Sequence, residues 1–149
     1  MTGVQDFICY DGLAMTSEDL VDCLGQFSAS FALQRLLAVL GMKVGSKEAR
    51  YEAKKKGVTV AFKSLKKGGV VFNSVTFHSG THGGFAGFAA ALPGGVAFGD
   101  TRPQVIAKLG PSATDTWRWK KGTLQLTVRF SRNEPQIVDA LTIQLPAQR

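Results

Sequence analysis

An α+β fold, two repeats of one helix followed by a three-stranded antiparallel meander, is predicted for this chain of 149 residues. Three observations carry it. The stretch "GVAFGDTRPQVIAKLG" opens a capped helix in the middle of the chain, "TLQLTVRF" alternates apolar and polar residues strictly, and the same order of elements occurs earlier at nearly constant spacing.

The helix over 101–109 is signalled by Asp100 as N-cap, Pro103 in the first turn, Val105, Ile106 and Leu109 on one side, and Gly110 with Pro111 as the stop. Strands follow in "TDTWRW", "TLQLTVRF" and "IVDALTIQL", separated by the turns "KKG" and "SRNEPQ". Within the second strand Leu124, Leu126, Val128 and Phe130 share one face, and Gln125, Thr127 and Arg129 the other. Earlier, "SFALQRLLAVLG" predicts a helix over 32–40, and "EARYEA", "VTVAFK" and "VVFNSVTFH" predict three strands around "KKKG" and "SLKKGG" turns. Gly41 and Gly110 lie 69 residues apart, Phe62 and Phe130 lie 68, and Thr76 and Thr142 lie 66. Segments 30–78 and 99–144 are thus read as pseudo-repeats of a single domain spanning 1–149, joined by a glycine-rich connector over 79–98. Their strands form one extended sheet or two abutting sheets, with the helices packed on one side and the other side left as a binding surface.

Composition narrows the function classes. With 44% hydrophobic residues the chain can bury a continuous core without covalent staples. No apolar run approaches the roughly 18 residues of a membrane span, and the first residues carry no secretory pattern, so a cytoplasmic protein away from membranes is expected. Cys9 and Cys23 show neither disulfide nor metal spacing and are read as two unlinked thiols. Between Lys43 and Lys67 nine cations face only Glu48 and Glu52, so this stretch carries the whole chain's net charge of +7. In a meander, however, Lys54, Lys55 and Lys56 sit at the opposite end of a strand from Lys66 and Lys67, about 20 Å away. They do not form one patch.

Chemistry-bearing motifs are absent from the sequence. His78 and His82 in "HSGTH" have helical metal-pair spacing, but Gly80 and Gly83 argue against a helix there. No phosphate-cradling loop, serine elbow or cysteine signature occurs, so the chain is not read as an enzyme and no metal, nucleotide or other cofactor is expected. Trp117 and Trp119 project from one face of their strand, either packed under the helices or anchoring a partner. Arg118 points the other way, beside Arg129 if the hairpin register turns both outward.

The run "ALPGGVAFGDTRPQVIAKLGPS", followed by an aromatic strand and two more, resembles the second half of small bacterial proteins with paired helix-and-meander repeats, the β-lactamase inhibitory protein-like and outer-membrane-assembly lipoprotein-like folds. The likeness spans residues 30–145 loosely and 91–111 best. Some proteins of this kind resemble immunity proteins, which bind secreted antibacterial toxins one to one. That resemblance implies a cytoplasmic, non-enzymatic immunity or inhibitor protein whose partner is a cognate toxin or effector protein. A signal peptide and a lipid-attachment cysteine, features of the envelope lipoproteins, are not read here. The partner surface is expected at Arg118, Gln125, Thr127 and Arg129, with Trp117 and Trp119. A basic nucleic-acid-binding or adaptor module is the second reading, because "WRWKK" interleaves basic and aromatic residues locally.

Overall fold

Six antiparallel strands form one sheet, and the helices lie on one of its faces. The computed structural model describes residues 16–42, 49–80, 84–88, 91–112, 114–119, 123–132 and 134–146. Its elements are α1 (Ser17–Asp22), α2 (Phe31–Val39), β1 (Ala49–Ala53), β2 (Val58–Ser64), β3 (Val70–His78), a short 3₁₀ turn (Pro93–Gly95), α3 (Arg102–Leu109), β4 (Thr116–Trp119), β5 (Leu124–Phe130) and β6 (Val138–Gln144). The strand order is β1-β2-β3-β6-β5-β4, so two meanders meet through their third strands. Of the two arrangements the sequence allows, the single sheet is the one formed. Cys9, Lys43, Lys47, His82 and the "KKG" turn at 120–122 fall outside the described residues.

Local chemistry sets the helix ends. Helix α1, which periodicity did not reveal, starts on a capping box: Thr16 N–H donates to Asp19 Oδ2 at 2.9 Å, and Asp19 N–H donates to Thr16 Oγ1 at 3.1 Å. Helix α3 begins one residue later than expected. The Asp100 carboxylate is occupied by the Ala97 N–H at 2.9 Å and the Lys108 ammonium at 2.6 Å, so the N-cap passes to Thr101. Thr101 N–H donates to Gln104 Oε1 at 2.8 Å.

Strand alternation places the core. Leu124, Leu126 and Val128 on β5, Leu141 and Ile143 on β6, Phe72, Val75 and Phe77 on β3, and Val58, Val60 and Phe62 on β2 are all buried. They join Leu20, Leu33, Leu37 and Val105 of the helices in one cluster. Leu33 and Leu37 are fully enclosed, and burying each such side chain contributes about 1.5–3 kcal/mol.

Two irregularities shape the centre of the sheet. Where β2 pairs with β3 the register jumps from Ala61↔Ser74 to Phe62↔Phe72, leaving Asn73 as an extra residue. Where β5 pairs with β6 it jumps from Arg129↔Ala140 to Phe130↔Val138, leaving Asp139 extra. Each long helix is also entered from a bridged segment, Phe27 to Val71 of β3 before α2 and Thr101 to Ile137, the residue preceding β6, before α3.

Candidate functional site

The face of the sheet away from the helices is built from strand positions that alternate with the core. Register aligns them into rows. One row reads Arg50, Ala61, Ser74, Gln144, Gln125, Arg118 across all six strands, and the next reads Glu52, Thr59, Thr76, Thr142, Thr127, Thr116. Five consecutive strands therefore present a threonine in a single row, with neighbours about 5 Å apart.

The hydroxyls of this row are held in pairs. Thr76 Oγ1 and Thr142 Oγ1 are 2.8 Å apart, Thr116 Oγ1 and Thr127 Oγ1 are 3.1 Å apart, and Thr59 Oγ1 bonds His78 Nε2 at 2.9 Å. In the adjacent row Gln144 Nε2 donates to Gln125 Oε1 at 3.2 Å. β-Branched side chains fixed by packing and by each other lose little rotamer freedom when covered. The threonines form an uncharged, pre-ordered centre, with Arg50 and Glu52 on one edge strand and Arg118 on the other.

Of the residues expected at a partner surface, Arg118, Gln125, Thr127 and Arg129 are on this face. Arg118 lies directly opposite Gln125, and both arginines turn outward. They are not side by side, since Arg129 is four residues from Gln125 along β5, about 13 Å. Arg129 is moreover engaged, its Nε donating to Asp139 Oδ1 at 2.9 Å, and Asp139 is the buried bulge residue. Arg118 is exposed, with Gln125 and Gln144 beside it in its row.

Trp117 and Trp119 are on the other face. Trp117 is 9% exposed and its Nε1 donates to Gly110 O at 2.8 Å, while Trp119 packs against the core. Trp117 ties β4 to the end of α3. Both act in packing, so the candidate surface comprises the other four residues and the threonine row they extend.

The glycine-rich connector covers one end of this face. Phe85 stacks on His78 with centroids 3.8 Å apart, Lys54 Nζ stands 5.8 Å from the Phe85 ring centre, and Phe88 N–H donates to His78 O at 2.9 Å. Phe88 then packs on Phe77 in the core at 4.7 Å. Thr59 and His78 are consequently buried, and the accessible surface runs from Thr76 toward β4. This also explains why Gly57 must be glycine: its φ is +72°, and a Cβ there would collide with the Ala86 carbonyl and come within 2.6 Å of Phe88 N.

Among the described residues no group of three or more His, Cys, Asp or Glu is placed to hold a metal ion, and no helix is long and apolar enough to cross a membrane. Cys23 is buried and unlinked; burial, then the nearby Asp22 and Asp19 carboxylates, push its thiol above the ordinary range.

The threonine row went unread in the sequence because it is a product of register. Its signal was present all the same: Thr59, Thr76, Thr116, Thr127 and Thr142 each occupy a polar position of an alternating strand. Comparison with protein-family models, with curated proteins and with solved structures found no match to this chain.

Proposed function

We propose that this protein is a non-enzymatic immunity or inhibitor protein that neutralises a partner protein, a bacterial toxin or effector, by seating it on the helix-free face of the sheet. The observation that carries the reading is the threonine row ending beside Arg118. Five uncharged threonines whose hydroxyls are already bonded cost little to desolvate, and an exposed arginine at their border supplies a charged anchor. Such a floor suits a protein better than a nucleic acid, which favours exposed aromatic platforms among its cations. The six strands contribute no Phe, Tyr or Trp to the two rows of this face, and the connector's Phe85 is stacked on His78.

Tandem duplication is part of the same reading, and three correspondences support it. The bridged residues Val71 and Ile137, the bulge residues Asn73 and Asp139, and the paired Thr76 and Thr142 are each separated by 66 residues. An antiparallel pair of equivalent strands related by a local two-fold axis must have one residue opposite its own counterpart, and Thr76 opposite Thr142 meets that condition. The resemblance read in residues 91–111 to paired helix-and-meander repeat proteins, some of which resemble immunity proteins, is what suggests a toxin as the partner.

The second reading, a nucleic-acid-binding or adaptor module, draws on Lys54, Lys55 and Lys56 and on Lys63, Lys66 and Lys67, which stand at opposite ends of β2. Capture from a lysate of the source cell separates the two. The tagged protein should bring down one protein in a one-to-one complex, and Thr142→Arg, which raises a bulky charge in the middle of the floor, should abolish capture, whereas Thr142→Val, which loses the same hydroxyl bond to Thr76 without the bulk, should retain it. Recovery of nucleic acid instead, with affinity falling steeply as salt rises, would decide for the second reading.

A further inference from the structure

We propose that a groove at the lysine-bearing end of the sheet receives an acidic, aliphatic segment of the partner protein; this rests on the reading that the partner is a protein seated on the same face. The groove encloses about 460 Å³ between the β2–β3 turn and the residue after β6, a volume within the range of ligand sites. Lys63 and Val71 face each other in the β2–β3 register on the helix-free side. Leu145 closes the far wall, its N–H donating to Asn73 O at 2.9 Å, and Leu65 forms the near wall, its N–H bonded to Gly69 O at 2.9 Å.

The charged residues described in the lining are all lysines. Among the described residues Lys63, Lys66 and Lys67 border the groove and no carboxylate lines it, while Leu65, Val71 and Leu145 are its apolar lining residues, Leu145 also packing against the core. Three ammonium groups bordering one concavity repel one another and gain from an arriving anion. A bare phosphate chain would satisfy the rim but leave the aliphatic walls in water. Carboxylates interleaved with aliphatic side chains satisfy both.

The groove also continues the candidate surface. Along β2 it follows Ala61, along β3 it follows Ser74, and along β6 it follows Gln144, all in the row that ends at Arg118. A protein covering the threonine row would overhang the groove, which makes it the natural receptor for an extended acidic segment of that protein.

Labelled synthetic peptides test this without the partner. A peptide alternating aspartate and leucine and an all-aspartate peptide of equal charge are titrated by fluorescence anisotropy against the protein, the combined Lys63→Ala/Lys66→Ala/Lys67→Ala variant, Leu65→Asp and Arg118→Ala. The Asp–Leu peptide should bind, weaken about tenfold or more in the triple variant and in Leu65→Asp, and be unaffected by Arg118→Ala; the all-aspartate peptide should bind about tenfold more weakly. Circular dichroism and melts verify that each variant is folded. Equal binding of the two peptides, retention in the triple variant, or stronger binding of an oligothymidine or of phosphatidylserine vesicles would overturn the groove's assignment. Absence of peptide binding alongside Thr142→Arg-sensitive capture of a protein overturns the groove alone. Peptide binding that behaves as expected without any such capture supports the groove and overturns the reading of the sheet face.

Discussion

Thr76 and Thr142, on the third strands of the two meanders, face each other across the central seam of the sheet with their hydroxyl oxygens 2.8 Å apart. Two hydroxyls bring two hydrogens and four lone pairs, so the pair bonds internally and still offers a donor outward. The seam where the halves join is thus also the middle of the exposed floor.

That pairing predicts non-additivity. Thr76→Val and Thr142→Val should each destabilise by about 0.5–1.5 kcal/mol, because each leaves a half-buried hydroxyl without its partner. The double substitution should cost clearly less than the two combined, since two β-branched apolar residues of similar shape then meet. Urea melts of the four proteins measure the coupling; strict additivity would mean that the hydroxyls do not depend on each other.

Gly57→Ala is expected to destabilise by about 2 kcal/mol or more, far beyond an ordinary turn substitution. The positive φ and the connector backbone pressing on that site act together. Hydrogen exchange should show the amides of Ala86 and Phe88, which donate to Lys54 O and His78 O, losing protection first. Unchanged protection there would show that the connector is not held through this contact.

What the sequence revealed and what it withheld follow one physical division. The six strands and two longer helices were legible because alternation and capping are properties of neighbours along the chain: Leu124, Leu126 and Val128 turn inward and Arg129 outward as their spacing requires. The Asp100 cap was misassigned because competition for its carboxylate comes partly from Lys108, eight residues on. The packing of Trp117 depends on Gly110 O, and the freedom of Arg118 relative to Arg129 depends on a bulge. Register, bulges and long-range partners are set by the folded sheet, so the threonine row and the lysine groove emerged only with it.

Asp100 gives the stability a pH dependence at the acid end. Burial works to raise its carboxyl, but the Lys108 ammonium and the Ala97 N–H outweigh burial and hold it below the ordinary carboxylate range. A depressed folded value means that this stabilisation is complete above the unfolded value, about 4, and is lost as pH falls through the lower folded one. Asp100→Asn should therefore cost about 0.5–1 kcal/mol at neutral pH, the modest figure reflecting an ammonium that is 37% exposed. The difference between the two proteins should shrink toward zero near pH 2; a difference independent of pH would show that the ion pair is not its source.

The two outward arginines should separate binding from stability. Arg118 is exposed on an edge strand, so Arg118→Ala should leave the melting temperature within about 1 °C while weakening the partner complex by the 2–5 kcal/mol typical of a desolvated arginine–carboxylate contact. Arg129→Ala differs, because its removal takes the Nε–H at 2.9 Å from the buried Asp139 carboxylate, and the loss of a charged donor to a buried carboxylate costs about 1–3 kcal/mol of folding free energy. Arg129→Lys, which keeps the charge but not the guanidinium geometry, should recover only part of that loss. Combined neutralisation of Lys54, Lys55 and Lys56, at the connector-covered end, should change neither quantity by more than about 0.5 kcal/mol. Calorimetric melts and titrations with the captured partner give both axes: binding that survives Arg118→Ala but fails in the lysine variant would move the functional surface from the threonine row to the covered end of the sheet.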